Sequence, residues 1–310
     1  MKKLIIAAAI IAAGVGGVSY VNYVATQEVR AEVDKQLAMV SEQTGATFKY
    51  AGLSASVISK SVEITSMEVI SPEGESVANV QSIEVKGYET DKISPHTSLD
   101  VKNLTLSKDF IATLPADTNA ILASASYNLH SSLDYNEESG ESDMVVKLNA
   151  KDVISFNMDL GLANSKPLMD TSLAMSKEQK QAGDTPLTYE QQLQQQTRMM
   201  QAMSKLEPRN ASFVINNQGK LKDLLESELS KQGMTIEQMQ AMLAQQLEQA
   251  PVTEEIANAL TSFASGLNSL TVSAKLPEGQ TMMEVNQQLM MLAGKPEELV
   301  KFINLEVKGE

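Results

Sequence analysis

The sequence predicts an α+β protein with an N-terminal transmembrane helix and stalk, a curved antiparallel amphipathic β-sheet, and a helix-rich C-terminal half packing on the sheet. Three observations lead to this prediction. An uncharged apolar run opens the chain, apolar and polar residues alternate through much of the first half, and apolar residues recur at helical spacing in the second half. These patterns are typical of a membrane-crossing helix, of strands with one buried face, and of amphipathic helices. The predicted regions are a transmembrane anchor at 1–24, a helical stalk at 25–45, a β-sheet region at 46–176, and a helical region with two or three strands at 177–310.

The N-terminal segment has the charge pattern of a membrane anchor. Lys2 and Lys3 precede an uncharged run from Leu4 to Val24. As a helix, this run would measure about 30 Å, the thickness of a bilayer core. Basic residues mark the cytoplasmic end, and Tyr20 and Tyr23 stand where aromatic side chains meet the far interface. We therefore expect a single-pass protein of a bacterial inner membrane, with the lipid bilayer as a partner and most of the chain in the periplasm.

A cleaved secretion signal is the alternative for this segment. Its apolar core would be Leu4–Val15, and Gly17-Val18-Ser19 would supply the small residues of a cleavage site. The length of the run, its tyrosines and the helix that continues it favour a retained anchor. That helix has apolar residues at helical spacing and is interpreted as a stalk. The stripe consists of Val29, Val33, Leu37 and Val40.

Composition and charge exclude several functions. The 310-residue chain has a formal charge of −14, which repels phosphate backbones and argues against nucleic acid as a partner. It has no cysteine, so disulfides and thiol chemistry are excluded. His96 and His130 are the only histidines, and neither has a metal-binding neighbour at the usual spacing along the chain. We predict no catalytic residue, no metal and no cofactor, and hence no enzyme; a carboxylate pair assembled only by folding remains open.

Three copies of one strand pattern lie within residues 62–106. Each reads apolar-x-apolar-x-x-apolar-x-apolar, whereas a regular strand would turn its second apolar pair to the opposite face. One extra residue in a β-bulge would return all four side chains to one face. The alternative is three chance strands with loose alternation. The predicted apolar groove consists of Val62, Ile64, Met67, Val69, Val80, Ile83, Val85, Leu99, Val101, Leu104 and Leu106.

Strand patterns continue to about residue 162, and helical patterns begin near residue 187. Capping boxes at Thr235–Gln238 and Thr281–Glu284 predict two helix starts. Methionines cluster in these helices, and three interpretations are open: gap-filling in a core, an adaptable groove for lipid or peptide, and copper(I) binding. The cluster consists of Met199, Met200, Met203, Met234, Met239, Met242, Met282, Met283, Met290 and Met291.

Several segments carry a resemblance to a known group. SKSVEITSMEVISPEGESVANVQSIEV follows the predicted stalk, and NNQGKLKDLLESELSKQGM, LTVSAKLPEG and KPEELVKFINLEV follow later. In this layout the chain resembles the AsmA-like and YdgA-like bacterial envelope proteins. The resemblance implies a curved sheet with an apolar inner face, a part in envelope integrity or lipid traffic, and no catalytic residues.

The predicted function is therefore non-enzymatic binding of lipid or another apolar ligand in support of envelope homeostasis, with lipid or envelope proteins as partners. The alternative is a protein-interaction or scaffold module whose sheet face is fully packed. Val62, Val80 and Val101 distinguish the two. They would line an open groove in the first case and lie under the C-terminal helices in the second.

Overall fold

A computed structural model describes residues 26–56, 58–87, 92–114, 119–182 and 188–310. The predicted anchor, with Lys2, Lys3, Tyr20 and Tyr23, lies outside these residues. No helix in the described ranges is long and apolar enough to cross a membrane. Their helices carry charged side chains, and each charge at a bilayer centre costs about 2.5–3.5 kcal/mol on insertion scales. The predictions of a transmembrane helix, a signal anchor, and an inner-membrane protein exposed to the periplasm are thus contradicted for the described chain.

One antiparallel sheet of eleven strands forms the fold. From β3 to β11, each strand pairs with the next in chain order, and β1 and β2 both pair with β3 at one edge. The strands are β1 (Thr47–Lys49), β2 (Gly52–Ser56), β3 (Ser61–Ile70), β4 (Ser76–Lys86), β5 (His96–Leu106), β6 (Tyr127–Asn136), β7 (Glu141–Ala150), β8 (Ile154–Ala163), β9 (Glu207–Asn217), β10 (Ser269–Lys275) and β11 (Glu306–Gly309). The sheet thus runs through the predicted helical half instead of lying beneath it.

Helices occupy the longer connections. The pair α2–α3 links β5 to β6, α4–α5 links β8 to β9, α6–α8 links β9 to β10, and α9–α10 links β10 to β11. Their bounds, with the preceding α1, are α1 (Thr26–Thr44), α2 (Lys108–Ala112), α3 (Ala120–Ala123), α4 (Lys166–Ala182), α5 (Tyr189–Met203), α6 (Leu221–Lys231), α7 (Ile236–Gln249), α8 (Glu254–Gly266), α9 (Met282–Met291) and α10 (Pro296–Phe302).

Strand pairing aligns apolar side chains into rows that cross the sheet on one face. Directly opposite residues of an antiparallel pair share a face, so each row can be read from the register. One row contains Leu53, Ile64, Ile83, Val101, Leu129, Leu148, Phe156, Ile215 and Leu270. The next contains Ala55, Val62, Val85, Leu99, Ser131, Val146, Met158, Phe213, Val272 and Val307.

The three repeated patterns lie side by side on β3, β4 and β5. In each pattern the alternation of apolar and polar residues is interrupted by one extra residue, and the three interruptions are neighbours across the sheet. Ile64 pairs with Ile83 and Met67 pairs with Val80, so the register is the same on both sides of the interruption. Ser66 on β3 and Asn103 on β5 both have φ of 53°, in the left-handed region. Because neighbouring strands change phase together, all four apolar residues of each copy reach one face. Between β3, β4 and β5 the register does not shift here, so the predicted bulge is wrong for these pairs. Between β5 and β6 the register does shift from Val101 to Leu104, as the predicted bulge in the third copy requires.

Helix α1 packs on the sheet and is not a free stalk. Val29, Val33 and Leu37 are buried in the same core cluster as Val62 and Val80. Burial of each such side chain contributes about 1.5–3 kcal/mol, which an exposed stalk would forgo. Between β1 and β2, the Tyr50 hydroxyl donates a hydrogen bond of 2.6 Å to the Asp34 carboxylate. Burial and this carboxylate raise the pKa of Tyr50 to about 12.

Candidate functional site

The predicted groove residues come together, but most of them are core. Eight expose 8% or less of their surface, and three are half-buried against the same cluster. Their cover comes from α1 and from Phe110 of α2, not from the C-terminal helices. The buried residues are Val62, Ile64, Met67, Val69, Val80, Ile83, Leu99 and Val101, and the half-buried ones are Val85, Leu104 and Leu106.

Beyond β5 the same face stays apolar but loses its cover. Among the described residues, no core cluster joins a helix to the middle of β6, β7, β8 or β9, and α6 reaches only the ends of β7 and β8, at Ala150 and Ile154. The side chains there are half-buried, and Leu148 is 38% exposed. We call this region the open apolar face. It consists of Leu129, Leu133, Met144, Val146, Leu148, Phe156, Met158, Leu160, Phe213 and Ile215.

Two aromatic rings lie at the centre of the open apolar face. Phe156 on β8 and Phe213 on β9 meet edge to face, with ring centroids 4.7 Å apart and ring planes at 76°. This geometry is favourable for aromatic pairs and holds both rings in place. The centre of the face is therefore an aromatic, apolar surface.

The two ends of the open apolar face differ in chemistry. At one end Ala125, Ala150 and Val153 form a small core with Leu224 of α6. At the other end Tyr135 and Ser142 are opposite each other, and the Ser142 hydroxyl is 2.7 Å from that of Ser165.

The Tyr135 hydroxyl is buried and has no hydrogen-bond partner within the described residues. Burial raises the pKa of Tyr135. From this polar end to the pair Leu129 and Leu148, the face extends over six residue steps, about 20 Å along the strands. This is the length of an extended long acyl chain with its polar group at the Tyr135 end.

The opposite face of the sheet carries two reciprocal His–Asp pairs. His96 Nδ1 is 2.7 Å from Asp134 Oδ1, and His130 Nδ1 is 2.8 Å from Asp100 Oδ1. Both pairs join β5 to β6. Between them Ser98 lies opposite Ser132, and both serines are buried.

The sequence analysis missed these pairs, although a signal was present. The segments HTSLD (96–100) and HSSLD (130–134) repeat one pentapeptide, and antiparallel pairing places each histidine against the aspartate of the other copy. A carboxylate on one ring nitrogen orients an imidazole in catalytic and metal sites alike. Within the described ranges, however, no three His, Asp or Glu side chains are placed to hold a metal ion.

Most of the clustered methionines lie at the surface. Seven of the ten are 44–71% exposed, which contradicts gap-filling for these seven. They are Met200 and Met203 of α5, Met242 of α7, and Met282, Met283, Met290 and Met291 of α9. The backbone N–H of Met282 donates to the carbonyl of Leu206, so α9 begins close to the end of α5.

These observations define a class of protein: a large antiparallel sheet whose apolar face is covered by helices over its first strands and again at β10 and β11, where α8 packs against Gly309, and is open over the strands between. A protein-family model described as "Uncharacterized protein" matches residues 147–310, more than half of the chain, and the chain belongs to that family. No curated protein matches it. The family match provides no link to the AsmA-like or YdgA-like proteins, so that resemblance stays a prediction.

Proposed function

We propose that this chain is a non-enzymatic protein that binds a lipid or another long apolar ligand on the open apolar face. The observation that supports this most strongly is the loss of cover beyond β5. The apolar rows that are core in β3–β5 continue as half-buried rows over β6–β9. Contiguous exposed apolar surface is unusual in a folded protein and marks sites of ligand or partner binding.

The polar end of the face favours an amphiphilic ligand. Tyr135 has a buried hydroxyl that no described protein group engages, and a head group would reach it only by displacing the side chains that cover it. A head group that accepts this hydrogen bond would offset the cost of leaving the hydroxyl unpaired, about 1–3 kcal/mol. The AsmA-like resemblance adds lipid as the expected ligand class.

The charges around this end favour a neutral head group over an anionic one. Lys166 Nζ is 3.5 Å from Glu137 Oε1 and 3.9 Å from Asp170 Oδ2, so its charge is already balanced by carboxylates. The chain as a whole is acidic as well, with a formal charge of −14. A long-chain alcohol or a monoacylglycerol fits these conditions better than a fatty acid.

Neighbouring residues of β7 provide a matched test on the full chain. Val146 lies on the open apolar face, and Val145 lies on the other face of the same strand, opposite Asp159. Val146→Asp and Val145→Asp therefore place the same charge on opposite faces. The probe is a fluorescent long-chain alcohol, whose emission shift reports binding.

We expect the wild-type protein and Val145→Asp to bind the probe alike. Val146→Asp should weaken binding at least about tenfold, because it places a charge in the apolar contact. Circular dichroism checks that each variant folds, and Met158→Gln repeats the test if Val146→Asp does not. Absence of binding by the wild type, or equal binding by both aspartate variants, would contradict the proposal.

A protein-interaction module is the second candidate. It is favoured by the filled β3–β5 part of the face, where α1 and Phe110 leave no groove, and by the exposed methionines of α5 and α9. Met-rich surfaces adapt to partners of different shape.

A further inference from the structure

Helix α5 exposes a narrow apolar stripe to solvent. Tyr189 is 81% exposed, Leu193 50%, Met200 64% and Met203 52%. Gln196, also exposed, lies between them on the same side of the helix. The successive spacings are four, three, four and three residues. This alternation is the heptad pattern of a helix–helix seam.

The opposite side of α5 is already occupied by α4. Arg198 donates two hydrogen bonds of 2.7 Å to the carboxylate of Glu178, one from each terminal nitrogen. Ala202, on the same side, is buried. A capping box between Thr188 and Gln191 fixes the start of the helix. The stripe is thus presented by a helix that is held in place, and it points away from the helix that holds it.

We infer that two copies of this chain associate by packing the α5 stripe of one copy against that of the other. A stripe one or two side chains wide matches the contact line of a second helix, whereas a helix that packs on a globular core uses a broader apolar face. The interface would pair the α4–α5 hairpins of the two copies as a four-helix arrangement.

The charges on α5 permit this self-association. The chain has a formal charge of −14, so most of its surface would repel a second copy. Helix α5 contains only two charged residues, Glu190 and Arg198, and Arg198 is engaged by Glu178. The stripe itself is uncharged.

The order of residues along the stripe favours an antiparallel arrangement. Gln196 is the central member of the five, so an antiparallel pair places the two Gln196 side chains together. Their amides can then bond to each other instead of remaining unpaired in an apolar seam, as polar residues do at the core positions of coiled coils. The same arrangement brings Tyr189 of one copy near Met203 of the other.

The absence of cysteine from the chain allows a direct test with single-cysteine variants of the full chain. Gln196→Cys places a thiol at the centre of the stripe, and Gln194→Cys places one on an exposed flank of the same helix. Under mild oxidation we expect a disulfide-linked dimer from Gln196→Cys and a much lower yield from Gln194→Cys, because a disulfide requires Cβ atoms about 4 Å apart. Equal yields, or no dimer from Gln196→Cys, would overturn the inference.

The mass of the protein in solution gives a second readout that needs no cross-link. Light scattering should give the mass of a dimer for the wild type. The pair of substitutions Leu193→Asp and Met200→Asp should give a monomer, because it places charges in the seam. The control pair Gln194→Asp and Gln201→Asp adds the same charge to the exposed flank and should remain a dimer. A monomeric wild type at high concentration, or equal masses for the two double variants, would overturn the inference.

Discussion

His96 of β5 lies directly opposite Asp134 of β6, with its Nδ1 atom 2.7 Å from the Asp134 carboxylate. His130 and Asp100 repeat this contact in reverse on the same two strands. The connection between β5 and β6 contains two short helices, so no tight turn sets the register of this strand pair. The two reciprocal pairs form only in this register, so we expect them to favour it. A slip of one residue would move the apolar side chains of β6 to the wrong face.

The inner of these pairs should show energetic coupling. His130→Ala and Asp100→Ala, alone and combined, form a double-mutant cycle whose free energies of unfolding are measured in urea. We expect a coupling of about 0.5 kcal/mol, within the usual range for cross-strand pairs. The more exposed pair, His96 and Asp134, is the matched control and should show a smaller coupling. Additive effects for His130 and Asp100 would show that this pair does not fix the register.

The difference between the filled and open parts of the face predicts unequal costs for one substitution at two methionines. Met67 is buried beneath the cover of α1, and Met158 is half-buried on the open apolar face. Met67→Ala should lower the free energy of unfolding by about 2–5 kcal/mol, as in other cores. Met158→Ala should cost about 1 kcal/mol, because little packing is lost. Urea unfolding measures both, and equal costs would mean that the later strands are covered too.

The contact between Tyr50 and Asp34 predicts a dependence of stability on alkaline pH. The folded protein raises the pKa of Tyr50 to about 12, from about 10 in an unfolded chain. The contribution is therefore fully present below pH of about 10 and is lost as the pH rises towards about 12. Unfolding free energies of the wild type should fall through this window more steeply than those of Tyr50→Phe. Parallel curves would show that the hydroxyl contributes nothing.

The contact between Arg198 and Glu178 predicts a dependence on acid in the α4–α5 hairpin. Hydrogen bonds from Arg198 lower the pKa of Glu178, so its stabilising effect is present above the usual carboxyl range and is lost as the pH falls through the lowered pKa. Amide protection in α4 and α5, corrected for intrinsic exchange, should decrease in acid. At neutral pH, Glu178→Gln should show weaker amide protection in these helices than the wild type, and it should lose less of that protection as the pH falls. An identical loss in both proteins would contradict this role.

Local signals in the sequence were sufficient for several elements. The capping boxes at Thr235 and Thr281 start α7 and α9 as expected, and the patterns of β3 to β5 place their apolar residues on one face. Each signal lies within a few neighbouring residues. Because each signal involves only residues close in sequence, these helices and strands could be predicted without knowing which other elements they pack against.

Long-range packing could not be read in the same way. The apolar stripe of α1 is compatible with a stalk and with a core helix, and only its contact with Val62 and Val80 decides between them. Likewise, β9 pairs with β8 although two helices separate them in the chain. The His–Asp contacts depend on that kind of pairing, because the partners come from different strands.

The extraction of bound lipid tests the central claim most directly. The wild-type chain, Val146→Asp and Val145→Asp are purified side by side without added lipid, and their organic extracts are quantified by mass spectrometry. The open apolar face predicts a neutral long-chain lipid, near one molecule per chain, in the wild type and Val145→Asp, and a strong loss in Val146→Asp. A wild-type protein that carries no lipid, or equal lipid in all three proteins, would contradict it.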